Sequence, residues 1–470
     1  MKRKITKAFF VIIFIVTGVI GFILPTGAEV SNPTVTGPIP VTVPLGDPSH
    51  DYPQFATQLD LASYGYVEEE FFLEGEATRY ETPLLPPGIV SSTGHSYQTR
   101  MIVRRPVSNK DFNGIVLVEW LNVTSKYNLD ALWLTSYAHI LREGYAYVGV
   151  SVQRDGVHWP DSGLVEWSPI RYGDLDVTDG STIMDDSLCY DIWSQAAQAI
   201  REPQDVDPLD GLEPEIVIAT GASQSQGRLV IYHNYIQPLT NIFDGYLLYL
   251  GVGGSLRTDL DPKVIRLNTE NDVIFLGEFY ARQPDSDRLR TYEVAGASHV
   301  GLADPNLRLE LLIRDELPIA EYDCLFPPFS RIPTNHVANA AFDHLTRWIS
   351  DGTEPPTAPP IEAEASLVPP YVVVDRDVYG NAFGGIQLSQ HAVPTATNTG
   401  FNLNGWCVLF GSHEPFDEDT LDSLYPNHGK YVSQVVRKVN ENLADGYIVI
   451  FDAKATKKKA AQSDIGKKGH

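Results

Sequence analysis

Residues 215–229 read EIVIATGASQSQGRL and set two serines two positions apart behind a short apolar run. The run Glu215–Thr220 has the composition of a strand buried on both faces. The segment 226–236, QGRLVIYHNYI, then carries apolar residues at helical spacing. A strand that turns sharply into a helix, with small residues two positions either side, can expose a serine at the top of a parallel sheet. Both serines meet the size condition. Ser223 stands between Gly221 and Ser225, and Ser225 between Ser223 and Gly227. The strand separates them. Its apolar run ends at Ala219–Thr220, so a turn centred on Ser223 begins at once, whereas a turn on Ser225 leaves Gly221 and Ala222 unexplained. Ser223 also puts the Gln224 N–H at a helix N-terminus, where it can stabilise an anion. Ser225 then becomes a packing residue of the first helical turn. Taken alone, the motif also fits a Ser/Gln-rich helix cap with no chemistry, so it needs partners.

Similar strand patterns recur on both sides. They are GIVLVEW (114–120), AYVGVSV (146–152), FDGYLLYL (243–250), KVIRLNT (263–269) and LRTYEVAG (289–296). Helical patterns fall between or after them at 129–144, 191–202 and 335–352, the first ending at Gly144 and the last at Gly352. Alternation of this length predicts an α/β fold with a mostly parallel central sheet flanked by helices. Residues 60–108 predict a β-meander ahead of it. The stretch 353–370, rich in Pro, Ala and Glu, reads as a stiff linker. Residues 353–450 then form a C-terminal extension or lid that folds back over a core spanning 29–352. The Lys-rich end, 451–470, reads as disordered.

A serine nucleophile needs a base and an orienting acid, and on this kind of sheet they follow in the order acid, then histidine. Directly after 263–269 comes END, with Glu270 and Asp272; directly after 289–296 comes ASH, ending in His299. Ser223, Asp272 and His299 therefore each sit just past the C-terminal end of a strand, the edge where open α/β sheets build sites. Asp272 is the first choice of acid and Glu270 the alternative. His139, His233 and His344 lie in helical patterns and read as packing residues. Trp120, Trp159, Trp167 and Trp406 fall in expected loops, where they either line a pocket with Arg154 and His158 or simply pack.

The remaining features bound the function. The chain has 470 residues, 43% of them apolar, and a net charge of −25. A body this acidic is unsuited to nucleic acid or anionic membrane. Residues 1–28 combine a basic start, an apolar stretch from Ala8 to Leu24, Pro25 and then small residues, the layout of a cleaved secretory signal. An uncleaved anchor is the alternative. The expected location is secreted or periplasmic. Cys189, Cys324 and Cys407 allow one disulfide and one free thiol without setting the pairing, and match no zinc spacing. DLDVTDG (174–180) and DVDPLDG (205–211) miss the EF-hand spacing by one residue, so no metal is assigned. LGVGGSL (250–256) lacks the dinucleotide fingerprint, and no cofactor is expected. No pattern sets an oligomeric state.

With these residues assembled, the chain resembles the α/β-hydrolase superfamily, and within it a family of secreted bacterial "alpha/beta hydrolase domain-containing" proteins, most of them esterases. The resemblance rests on VEWLNVT (118–124), YAYVGVSVQ (145–153), ATGASQSQGRLVIYHNYIQP (219–238), TENDV (269–273), EVAGASH (293–299) and RWISDGTEPP (347–356). YGNAFGGIQL (379–388) and LYPNHGKYV (424–432) carry it nearly to the C-terminus. It implies Ser223 as nucleophile, with the acid and base in the TEND and GASH segments. Lipases of the superfamily carry a His-Gly-Gly stretch where this chain has EWLNVT, so the second oxyanion donor beside Gln224 is sought at a backbone N–H of Leu121 or Asn122. The expected reaction is hydrolysis of a small-molecule or polymer ester. The alternatives are amide cleavage or acyl transfer by the same residues, or a secreted binding protein without catalysis.

Overall fold

The computed structural model describes residues 30–467, the side chains of 303–306 excepted. The expected signal, 1–28, lies outside the described residues. One nine-stranded sheet organises the chain, in the order β1-β2-β3-β5-β4-β6-β7-β8-β9. Its strands are β1 Thr34–Thr36, β2 Tyr66–Glu81, β3 Ile89–Pro106, β4 Ile115–Trp120, β5 Ala146–Val150, β6 Ile216–Ala222, β7 Gly245–Tyr249, β8 Lys263–Thr269 and β9 Leu289–Val294. The six strands from β4 to β9 pair in parallel. β4, β5, β6 and β7 are buried at every position, as their unbroken apolar runs require.

The expected meander is a single long hairpin. β2 pairs antiparallel with β3, and β3 with β5, so it continues the main sheet. Its inward face is unusually charged. Arg100 and Arg171 flank the buried Glu70, while Arg104 bonds Glu68 and Asp130. Each charge has an opposite partner, the condition under which burial is tolerated. Glu119, at the end of β4, accepts the Leu132 and Trp133 N–H groups at the start of the helix Ala131–Glu143, and the Tyr147 hydroxyl. Burial and the nearby Asp130 push its carboxyl up to about 8.

The C-terminal extension packs on the core, and the stretch expected as a stiff linker is part of that packing. Residues 353–361 run along β9 and do not hold a separate domain away. The Tyr292 hydroxyl donates to Pro356 O, and Ile361 N to Glu293 Oε2. Ile386 then bridges Val294, covering the sheet's β9 edge. The Lys-rich end is also ordered in the structure. Ile450–Gln462 is a helix that buries Ala453, Thr456 and Ala460 and binds Asn339 through Asp452. Small residues at 453, 456 and 460 make one helical face, and most of the lysines occupy the other sides. No helix among the described residues is long and apolar enough to cross a membrane.

Candidate active site

The turn after β6 is built to hold a strained residue. Ser223 has φ 60° and ψ −123°, a backbone state that costs a side-chain-bearing residue about 1–3 kcal/mol. Its own N–H offsets part of that by donating to Leu250 O at 2.8 Å. The helix Gln224–Ile231 starts at the next residue and runs into a π-type turn, Tyr232–Ile236. Gly221 leaves little room for a side chain, because a Cβ there would lie 3.1 Å from the Ser225 Cβ and 3.2 Å from Leu229 Cδ1. Ser225 is fully buried and donates to Leu121 O at 3.3 Å, tying the helix to the loop after β4. Ser223 lines a cavity of about 440 Å³.

The turn after β8 fixes the carboxylate. Thr269 caps the short helix Glu270–Phe275: its hydroxyl accepts the Asp272 N–H, and Asp272 Oδ2 accepts the Thr269 N–H at 2.6 Å. Asp272 Oδ1 is left for the Nδ1 of His299 at 2.6 Å. Asp272 is fully buried and His299 nearly so. That bond sets which imidazole nitrogen is held by the acid and leaves Nε2 for the cavity that His299 shares with Ser223. Behind the acid, buried Glu278 accepts from Gly253 N and the Asn268 side chain, and burial holds its carboxyl above the usual range.

Glu270, the alternative acid, is turned to other partners. It receives Arg376 Nη2 at 2.6 Å, Gly400 N at 3.0 Å and Gly296 N at 2.8 Å. Its neighbour Asn271 donates to Gly400 O and Val408 O. Together they clamp the extension onto the acid loop, and the approach is so close that a Cβ on Gly400 would strike the Asn271 backbone. A T-x-x-D capping box directly after a strand is the sequence signal that singles out Asp272 over Glu270.

The oxyanion side needs a correction. The backbone N–H of Leu121 goes to Val150 O, extending the β4–β5 pairing, and that of Asn122 to Leu129 O, where the loop after β4 folds back on itself as a β-bridge. Neither is open to a ligand. Asn122 nevertheless lines the cavity beside Ser223, with its Oδ1 holding Thr124 N and one Nδ2 hydrogen on Ala222 O. A carboxamide has a second Nδ2 hydrogen. The Gln224 N–H, first in its helix, makes no hydrogen bond among the described residues.

Of the four tryptophans, Trp406 lines the cavity, beside Leu409 and Phe410. Trp120 and Trp167 are buried in packing roles, the first bonded to Gln153 and the second stacked on His50. Trp159 lies under the Lys126 ammonium at the surface. Arg154 and His158 face Asp155 and Asp176. Cys324 and Cys407 form the disulfide, and Cys189 is a buried free thiol. The bond anchors the 405–410 wall to the loop before the helix Thr334–Asp351. In the two Asp-rich loops, Asp176 and Asp207 accept backbone N–H groups of their own turns.

A parallel sheet carrying a strained serine after β6, an acid after β8 and a histidine after β9 is an α/β-hydrolase fold. The chain belongs to the alpha/beta hydrolase domain family, whose sequence pattern matches residues 35–458. Similar solved structures include a lid-less α/β serine hydrolase of Xanthomonas campestris, at 12% identity over 52% of this chain and 97% of that one, TM-score 0.26. A dienelactone hydrolase of Anabaena variabilis matches at 16% identity over 52% and 96%, TM-score 0.28. Acetyl xylan esterase 1 of a Thermoanaerobacterium species matches at 11% over 57% and 87%, TM-score 0.27. No curated protein sequence matches the chain.

Proposed function

We propose that this chain is a secreted serine hydrolase that cleaves carboxylic esters through an acyl-enzyme intermediate. The observation that carries the reading is the 2.6 Å bond from the buried Asp272 to His299, which lines one cavity with the strained Ser223. Ser223 Oγ attacks the ester carbonyl. His299 Nε2 takes its proton and then delivers it to the departing alcohol. Asp272 stays ionised, holds the ring and stabilises its charged form. Water repeats the sequence and frees the serine. The Gln224 N–H and the second Nδ2 hydrogen of Asn122 receive the developing oxyanion; losing one such donor lowers the rate about 10²–10³-fold. The predominantly apolar lining of the cavity suits an ester with an aliphatic or aromatic acyl half.

The test is covalent labelling of the chain from Glu29 onward with a fluorophosphonate, beside Ser223→Ala and Ser225→Ala. Labelling of the wild type and of Ser225→Ala, with none in Ser223→Ala, is expected. Labelling lost only in Ser225→Ala moves the nucleophile by two residues. Folded protein that never labels is a binding protein on a hydrolase scaffold. A panel of esters with one amide analogue separates ester from amide cleavage.

A further inference from the structure

His299 borders two cavities, and they differ in charge. The larger, which Ser223 and Asn122 line, is walled mainly by apolar residues, with Arg308 its one Lys, Arg, Asp or Glu among the described residues, and Arg308 has a partner of its own. The smaller, about 260 Å³, lies between the loop after β9, the start of the helix Thr334–Asp351 and the helix Ile450–Gln462. Ser298, His299, Arg331 and Lys459 are among the residues that line it. No Asp or Glu lines it among the described residues. Neither the Arg331 guanidinium nor the Lys459 ammonium forms a hydrogen bond or ion pair with a described residue. The Arg331 backbone, by contrast, is pinned, its N–H donating to Asn398 Oδ1. In a chain of net charge −25, most guanidinium groups here are matched to carboxylates. Both residues are exposed, and two unmatched cations lining the cavity that His299 also lines make a local positive field that attracts an anion.

Resting on the ester-hydrolase reading above, we propose that the alcohol half of the substrate carries a carboxylate, which Arg331 and Lys459 receive in the smaller cavity. The side is set by the chemistry of His299. Its Nε2 hands the proton to the departing alcohol, so that half of the ester lies on the histidine's side of the scissile bond. The acyl half stays with Ser223 and Asn122 in the apolar cavity. The substrate class is therefore an apolar acyl ester of a hydroxy acid. A guanidinium matches a carboxylate with two parallel hydrogen bonds, and the ammonium adds a point charge.

The experiment uses three esters with comparable leaving groups: benzyl butyrate, 4-(butyryloxymethyl)benzoate, and the monobenzyl ester of glutaric acid. The benzoate is expected to exceed benzyl butyrate in kcat/KM by about 10- to 100-fold, the size of a charge-assisted contact. That ratio should collapse towards one in Arg331→Ala/Lys459→Ala and shrink as salt is raised. A ratio near one in the wild type, an unchanged ratio in the variant, or a preference for the glutarate, whose charge is on the acyl half, overturns the proposal. If none of the three esters is turned over, the esterase reading fails separately, and the site is read by calorimetry of 4-(hydroxymethyl)benzoate binding to Ser223→Ala. Binding of the carboxylate but not of benzyl alcohol, lost in the triple variant, supports the site; no binding, or binding that survives loss of both cations, removes it.

Discussion

Ser223 and Asp272 are positioned by the residues immediately around them, whereas part of the wall they face comes from the C-terminal extension. Ser223 is set by a strand, a glycine and the first residue of a helix; Asp272 by a capping box within four residues. The opposing wall, with Trp406, Leu409 and Phe410, is held by a disulfide spanning 83 positions and by the Arg376–Glu270 pair spanning 106. Chemistry is thus encoded locally and cavity shape at long range. Damage to the first region should remove turnover from a folded protein. Damage to the second should loosen the fold and the cavity while Ser223, Asp272 and His299 stay in place.

The sharpest form of that contrast lies within one turn. Ser223→Ala should lower turnover of an ester by about 10⁴–10⁶-fold with the thermal midpoint kept, since alanine keeps the Cβ and the same backbone state, and the lost hydroxyl bonds no described residue. Ser225→Ala loses one long hydrogen bond and should stay within about tenfold of wild type. Equal losses in kcat from both variants would break the distinction. The next largest effect compares two acids two residues apart. Asp272→Asn should reduce kcat by about 10³–10⁴-fold, because the amide cannot hold and stabilise the charged ring as the carboxylate does. Glu270→Gln should leave kcat within a few-fold and appear instead in the denaturation midpoint, since Glu270 bonds Arg376 and two backbone N–H groups and not His299.

The same division explains what the sequence made legible. The strands β4 to β9, the helix after Ser223, and the order serine, acid, histidine depend on apolar period and turn chemistry, which act over a few neighbours. The role of Glu270 depends on Arg376, which no local pattern links to it. The Leu121 N–H is taken by Val150 of β5 and the Asn122 N–H by a bridge to Leu129, both invisible in the run EWLNVT. The Lys-rich helix Ile450–Gln462 was hidden because its charge outweighs the small apolar stripe that docks it. Trp120 and Trp167, placed in loops by composition, are fixed in packing by Gln153 and His50, far away in sequence.

A smaller effect tests the long-range side alone. Arg376→Ala leaves the fully buried Glu270 carboxylate with only the Gly296 and Gly400 N–H groups. Arg376 is itself partly exposed, so the cost should fall below that of a wholly buried pair, at about 2–3 kcal/mol in urea denaturation. Arg376→Ala/Glu270→Gln should recover part of it, since the double variant has no unpaired buried charge. No recovery would mean that Arg376 acts through packing and not through charge.

The smallest effect concerns pH, and it distinguishes stability from catalysis. His233, in the π-type turn that follows the Ser223 helix, is almost fully buried with its ring edge-on to Tyr246. Burial is the main cause that lowers its pKa to about 4. The unfolded chain takes up this proton near pH 6.5 and the folded one only near 4, so the unfolded state binds more protons across that window. Stability is therefore intact above pH 6.5 and falls by about 1.4 kcal/mol for each pH unit below it until the folded histidine titrates. His391, His413 and His344 are lowered in the same direction and add to the slope. His233→Gln should remove one share, reducing the loss between pH 7 and 5.5 by about 1 kcal/mol in urea melts. An unchanged slope would mean that the ring titrates alike folded and unfolded, and that the turn behind the serine admits water.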